Sequence, residues 1–133
     1  MARQIYVNLP VKDLALSKAF YAALGFGFEP RFSNDDASCV AVGHNIYVML
    51  LTEQFFSTFT DKPLCDAKTC TEALVCISCD SREQVDELVA KARAAGGNVP
   101  RPAQDHGFMY GHGFEDPDGH IWELIHLPLG FQA

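Results

Sequence analysis

Two kinds of hydrophobic pattern alternate along the chain, and the alternation occurs twice. Ile5-Tyr6-Val7-Asn8-Leu9-Pro10-Val11 is rich in strand formers. Asp13 follows as an N-cap, and Leu16, Phe20, Ala23 and Leu24 recur at helical spacing until Gly25, a natural stop. Strand-like pieces come next at 26–32, 38–42 and 46–51. The order then repeats. A strand pattern over 73–79 leads into Ser81-Arg82-Glu83-Gln84, a capping box. Val85, Leu88, Val89 and Ala92 form a buried stripe, and Gly96-Gly97 closes the helix. Strands are predicted at 99–102, 108–114 and 121–127, and helices over 14–24 and 82–95.

Each half therefore reads β-α-β-β-β, at a repeat of about 70 residues. Gly43-His44-Asn45-Ile46-Tyr47 opens the last strand of one half, and Gly119-His120-Ile121-Trp122 that of the other. The expected organisation is one domain over 1–133. Module one spans about 4–51, a linker about 52–71, and module two about 72–128. Thr52 is placed to cap a short helix at the start of the linker. One copy of such a unit leaves an apolar sheet face uncovered. The fold class expected is thus α+β, with paired βαβββ modules forming a curved mixed sheet and helices on its outer face. The concave face is the natural place for a ligand.

The 133 residues suffice for a real core, and 48% hydrophobic with 20% charged residues excludes a disordered chain. A net charge of −7 argues against a nucleic-acid backbone or an anionic membrane surface as partner. No apolar run approaches the roughly 20 residues of a membrane helix. No basic segment followed by an apolar one opens the chain, so the expected address is the cytoplasm. The cysteines number 5, which do not pair fully within one chain. Cys76 and Cys79 form a CxxC, but on a strand that spacing sends the two thiols to opposite faces. They are expected to be reduced, small apolar residues.

Candidate chemistry concentrates at the hairpin around Asp116-Pro117-Asp118-Gly119. If those residues make the turn and Glu115 opposes His120, then His112 faces Glu123. Tyr110, His112, Phe114 and Glu123 then share one sheet face. Gly111 and Gly113 fall on the other, where they would permit close helix packing. A carboxylate beside an imidazole makes either a general base or a salt-bridged pair. Glu123 stands in an otherwise apolar strand, so it lines a wet pocket or has a partner. Tyr6 and Asn8 share parity on the first strand and are candidates for the same cup, and His106 is a candidate for a lid. The predicted catalytic residues are His112 and Glu123, and the predicted ligand-binding residues are Tyr6, Asn8 and Tyr110. There is no nucleophile elbow, phosphate loop or dinucleotide fingerprint.

The run Val11-Lys12-Asp13-Leu14, with Ser17, Phe20-Tyr21 and Leu24-Gly25-Phe26, resembles the opening signature of the vicinal oxygen chelate superfamily. Glu115-Asp116-Pro117-Asp118-Gly119-His120-Ile121-Trp122-Glu123-Leu124 resembles its closing one. That superfamily includes glyoxalase I, extradiol dioxygenases, and bleomycin and fosfomycin resistance proteins. The resemblance implies paired βαβββ modules, a homodimer, a small-molecule ligand, and commonly a divalent metal held by one residue from each of four strands. Those positions fall on Tyr6, Val48 or Met49, Leu74 and Glu123. Only Glu123 is a donor of the family type, so no metal is assigned; Glu123 and His112 are the donors if one is bound. Three functions stay open. They are a lyase- or dioxygenase-like enzyme with a relocated metal or His112/Glu123 acid–base chemistry, a sequestering binding protein, and an inert scaffold. Arg31 and Arg101 are the only arginines near the expected rims, which disfavours a glutathione-conjugate substrate with its carboxylates.

Overall fold

In a computed structural model describing residues 2–127, the chain forms two compact units that meet in sequence at Asp66/Ala67. The few residues that follow, which include the expected end of module two, lie outside the described residues. Each unit is a βαβββ module, so the fold is α+β.

The first unit contains β1 (Ile5–Val11), α1 (Leu14–Ala23), β2 (Gly27–Glu29), β3 (Ala37–Gly43) and β4 (Ile46–Thr52). Its strand order is β1-β4-β3-β2, with β1 parallel to β4 and the remaining pairs antiparallel. Asp13 caps α1 as predicted, its Oδ1 accepting from the Leu16 N–H at 3.1 Å. The buried stripe differs from the expected one at two of its four positions, since Leu16 and Ala23 are exposed. Ser17, Phe20, Tyr21 and Leu24 are buried, an i, i+3, i+4, i+7 set, whereas Leu16 is 54% exposed. That stripe packs on the sheet face carrying Val40, Val48 and Leu50, all essentially inaccessible. The predicted strand at 26–32 stops at Glu29, because Pro30 turns the chain into a single 3-10 turn over Pro30–Phe32. Thr52 caps the four-residue helix α2 (Glu53–Phe56), as its position predicts.

The second unit contains β5 (Leu74–Ser78), α3 (Arg82–Ala94), β6 (Gln104–Asp105), β7 (Tyr110–Glu115) and β8 (Ile121–His126). The order β5-β8-β7-β6 repeats that of the first unit. Ser81 caps α3 by accepting from the Gln84 N–H at 3.0 Å, and Gln84 reaches back to accept from the Asp80 N–H at 2.6 Å. Val85, Val89 and Ala92 bury against Phe114, Trp122 and Leu124, each of which is at most 2% exposed. The Phe114 and Trp122 rings stack nearly parallel, with centroids 6.1 Å apart. Burial of each of these three side chains contributes about 1.5–3 kcal/mol, making this cluster the anchor of the unit. The predicted strand at 99–102 does not form. Pro100 and Pro102 lack the N–H groups a ladder needs, so the segment makes one bridge, Asn98 to Glu115, before the two-residue β6.

The β7–β8 connection closes differently from the turn expected. Asp116 N–H donates to the His120 carbonyl at 2.9 Å, so only Pro117, Asp118 and Gly119 form the loop. The buried Asp116 carboxylate accepts from the Asp118 and His120 N–H groups at 3.0 and 2.9 Å. Gly119 ends the loop at φ 96°, and a Cβ there would meet the Ala67 backbone at 2.8 Å. Glu115 consequently opposes Ile121, not His120.

Gly119→Ala is therefore expected to destabilise the chain by about 1–3 kcal/mol, from the left-handed backbone and the backbone collision together. Urea unfolding followed by circular dichroism checks this; a wild-type midpoint would refute it.

Candidate functional site

The register shift decides which side chains meet. The pairs are Tyr110 with His126, His112 with Leu124, Gly113 with Glu123, and Phe114 with Trp122. His112 and Glu123 thus stand on opposite faces of the sheet, and the expected His112–Glu123 pair does not form. A slip of one residue inverts every side chain, which is why a single extra pair at the turn overturns it. Tyr110 and His112 lie on the face covered by α3. Gly111 and Gly113 lie with Glu123 on the open face, the reverse of the helix-packing role expected for them. A Cβ on Gly113 would come within 2.6 Å of the Trp122 carbonyl oxygen, so this close approach requires glycine.

On the open face, β5 extends the floor, because Leu74 pairs with Ile121 and Cys76 with Glu123. A cavity of about 500 Å³ sits over it. Leu74, Gly111, Gly113, Glu115, Ile121, Glu123 and Ile125 form its floor, and Pro100, Arg101, Pro102, Gln104, His106 and Met109 its wall. Its size suits a small organic molecule. Glu123 is half-buried there. Burial, and secondarily the Glu123 charge, pushes the neighbouring Cys76 thiol up, which disfavours the nucleophilic thiolate.

Besides the short β6–β7 ladder, the wall is fastened to the rest of the unit by two side-chain contacts that sequence reading missed. The Arg82 guanidinium at the start of α3 holds Asp105 through two hydrogen bonds of 2.6 and 3.0 Å, and lies over the Tyr110 ring at 5.0 Å. Tyr110 donates in turn to Asp86 at 2.5 Å, which raises its phenol pKa. The Arg82 hydrogen bond, reinforced by the Gly107 N–H, lowers the Asp105 pKa to about 2. The second contact is from His112, whose Nε2 donates to the Arg101 carbonyl at 2.9 Å. A carbonyl only accepts, so Nε2 carries the proton and that nitrogen is occupied. His112 reaches the cavity as a strap on its wall rather than as the partner of Glu123. His106, expected as a lid residue, is in this wall. The missed latch left one signal in the sequence, an Arg at the first position of α3 and an Asp before His106-Gly107.

Tyr6 and Asn8 belong to the first unit. Both lie on the open face of β1, beside Tyr47 and Met49 respectively. Tyr6 stacks on Tyr47 with centroids 5.0 Å apart, meets Phe32 edge-on at 6.5 Å, and donates to Gln4 Oε1 at 3.0 Å. Here Tyr6 is part of an aromatic cluster.

The same pairing settles the uncertain metal position. Val48 is 1% exposed and faces α1, whereas Met49 is on the open face, two residues past the partner of Tyr6, as Glu123 is past the partner of Leu74. The four positions therefore hold a phenol, a thioether, an alkyl group and one carboxylate. That donor set does not fit a hard or borderline divalent cation. His112 does not join Glu123 as a donor, since it points to the other face.

Two modules of identical strand order, each with an open sheet face opposite its helix, define a paired-βαβββ protein. The family model described as the Glyoxalase/Bleomycin resistance protein/Dioxygenase superfamily matches residues 3–124, and the chain belongs to that superfamily. Among solved structures, the hypothetical protein SA1046 from S. aureus is 29% identical, with a TM-score of 0.80 over 95% of this chain and 94% of that one. The fosfomycin resistance protein FosX from Listeria monocytogenes is 18% identical, with a TM-score of 0.69 over 97% and 96%. TnmS3, an antibiotic-binding protein from Streptomyces sp. CB03234, is 21% identical, with a TM-score of 0.66 over 96% and 98%. No curated protein sequence matches significantly. Among the described residues, no helix is long and apolar enough to cross a membrane.

The latch makes a pH prediction. A lowered carboxyl pKa contributes its attachment fully above the ordinary value near 3.9, and loses it as the pH falls toward about 2. Amide hydrogen exchange over 101–109 is expected to accelerate between those limits more than in the β8 core. Arg82→Ala is expected to show the faster exchange already at neutral pH. Unchanged protection of 101–109 in that variant would show that the latch does not hold the wall.

Proposed function

We propose that the chain is a small-molecule-binding protein whose ligand occupies the cavity of the second unit. The observation that supports this best is the cavity itself, a largely apolar floor with two half-buried carboxylates, Glu115 and Glu123, and a wall strapped in place. Binding with sequestration is favoured over acid–base turnover, because the His112–Glu123 dyad that such chemistry needs is divided between two faces. It is favoured over the usual metal-dependent chemistry of the superfamily, because the inherited positions carry one carboxylate. TnmS3 is an antibiotic-binding protein, and that relative agrees in kind with the reading. The cytoplasm is the proposed location. A homodimer is the proposed assembly, since the open faces leave Tyr6 and Leu74 38% and 53% exposed.

Thermal-shift titration of the purified chain with a panel of neutral aromatic compounds tests the binding reading. At least one is expected to raise Tm, and Leu74→Asn, at an exposed floor position, is expected to weaken that compound roughly fivefold. An unchanged affinity in Leu74→Asn would move the ligand elsewhere. Elemental analysis of untagged protein is expected to give a substoichiometric divalent metal. A stoichiometric one lost in Glu123→Ala would instead establish a relocated metal site and a lyase- or dioxygenase-like enzyme. Light scattering at tens of micromolar is expected to report twice the chain mass, and a monomer there would refute the dimer.

A further inference from the structure

The cavity floor has an unusual division of labour between adjacent strands. β7 contributes Gly111, buried beside the Ile125 side chain, and Gly113, half-buried and without a side chain of its own, and β8 contributes Ile121 and Ile125 on either side of Glu123. Backbone without side chains is a flat surface, and flanking isoleucines make its edges apolar. Such a floor fits a planar ring better than a branched or globular group.

Glu123 is the group that this floor does not explain. Among the described residues its carboxylate has no hydrogen-bond or ion-pair partner, although it is half-buried between two isoleucines. A carboxylate so placed loses hydration without replacement, and a donor from the ligand would restore it. The second floor carboxylate, Glu115, is different, since it accepts from Asn98 Nδ2 at 3.2 Å. Glu115 stands two residues along β7 from the partner of Glu123, on the same face, so its charge adds to the negative potential there. The chain as a whole carries a net charge of −7, which attracts cations and repels anions at long range. Arg101 is the counter-charge, but it is exposed on the wall rather than set in the floor.

We propose that this cavity takes a planar aromatic molecule bearing a protonated amine, lying on the Gly113 backbone between the flanking isoleucines with its ammonium paired to Glu123. The proposal rests on the cavity being the ligand site and goes further by naming the ligand's chemistry. A charge-assisted bond to a half-buried carboxylate discriminates more strongly than a neutral one, so the amine should dominate selectivity.

Three probes of one shape separate the possibilities: naphthylmethylamine, naphthylmethanol and naphthoate. Isothermal titration calorimetry on the full chain at neutral pH is expected to rank the amine roughly tenfold tighter than the alcohol, with naphthoate weakest. Glu123→Gln keeps the side-chain shape, and it is expected to bring the amine down to the alcohol while leaving the alcohol unchanged. The amine's advantage in wild type should also shrink as salt rises, a readout that needs no variant. Equal affinities, a naphthoate preference set by Arg101, or an amine preference that survives Glu123→Gln would overturn the assignment and leave the cavity as a binding site. If none of the three binds, the alcohol included, the cavity reading fails and this one with it.

Discussion

The closure of the β7–β8 hairpin by Asp116 governs what the second unit presents to a ligand. The buried Asp116 carboxylate accepts from two backbone N–H groups, and the Asp116 main-chain N–H donates to the His120 carbonyl. With the loop reduced to Pro117-Asp118-Gly119, Glu115 must oppose Ile121, and the parity of both strands follows. Trp122 and Leu124 turn inward to α3, while Glu123 turns out to the open face. β5, parallel to β8, extends that face through Leu74 and Cys76. Slipping this pairing by one residue would place Glu123 in the core and Trp122 in solvent. Loss of the burial of Phe114, Trp122 and Leu124 is the penalty that forbids it.

The two units reach the same strand order with different chemistry on equivalent positions. Where the second unit has Leu74, Ile121 and Glu123, the first has Tyr6, Tyr47 and Met49. A fold that is doubled supplies matched positions, but nothing in the doubling requires matched side chains. In the first unit the open-face aromatics satisfy one another by stacking. In the second, glycines replace bulk and leave a cavity with a carboxylate in its floor. The chemistry of the superfamily commonly draws on donors from both halves, and here only one half retains such a donor.

The wall over the cavity is a segment with little regular structure of its own. Two prolines limit its ladder to the two-residue β6, so side chains add to the hold: Arg82 on Asp105 and over Tyr110, and His112 on the Arg101 carbonyl. These residues act on the cavity by positioning the wall. His112, the residue whose type most suggested catalysis, has its Nε2 proton committed to that task.

Local signals were legible without the structure. Asp13, Thr52 and Ser81 announce their caps because an N-cap is a contact within one helical turn. The βαβββ repeat shows because hydrophobic periodicity is set by the faces of strands and helices. Glu123 stands out because a carboxylate in an apolar strand demands an explanation. What the sequence alone did not determine is everything that depends on how separate segments pair. The offset of one residue between His112 and Glu123, the stripe of α1 shifted from Leu16 to Ser17, and the bond from Arg82 to Asp105 each join positions whose separation is decided only on folding. The physical reason is that a strand's own pattern fixes the period of its side chains but not their phase against a neighbour. Here that phase was decided by one buried carboxylate at the turn and by the tryptophan that had to face the helix.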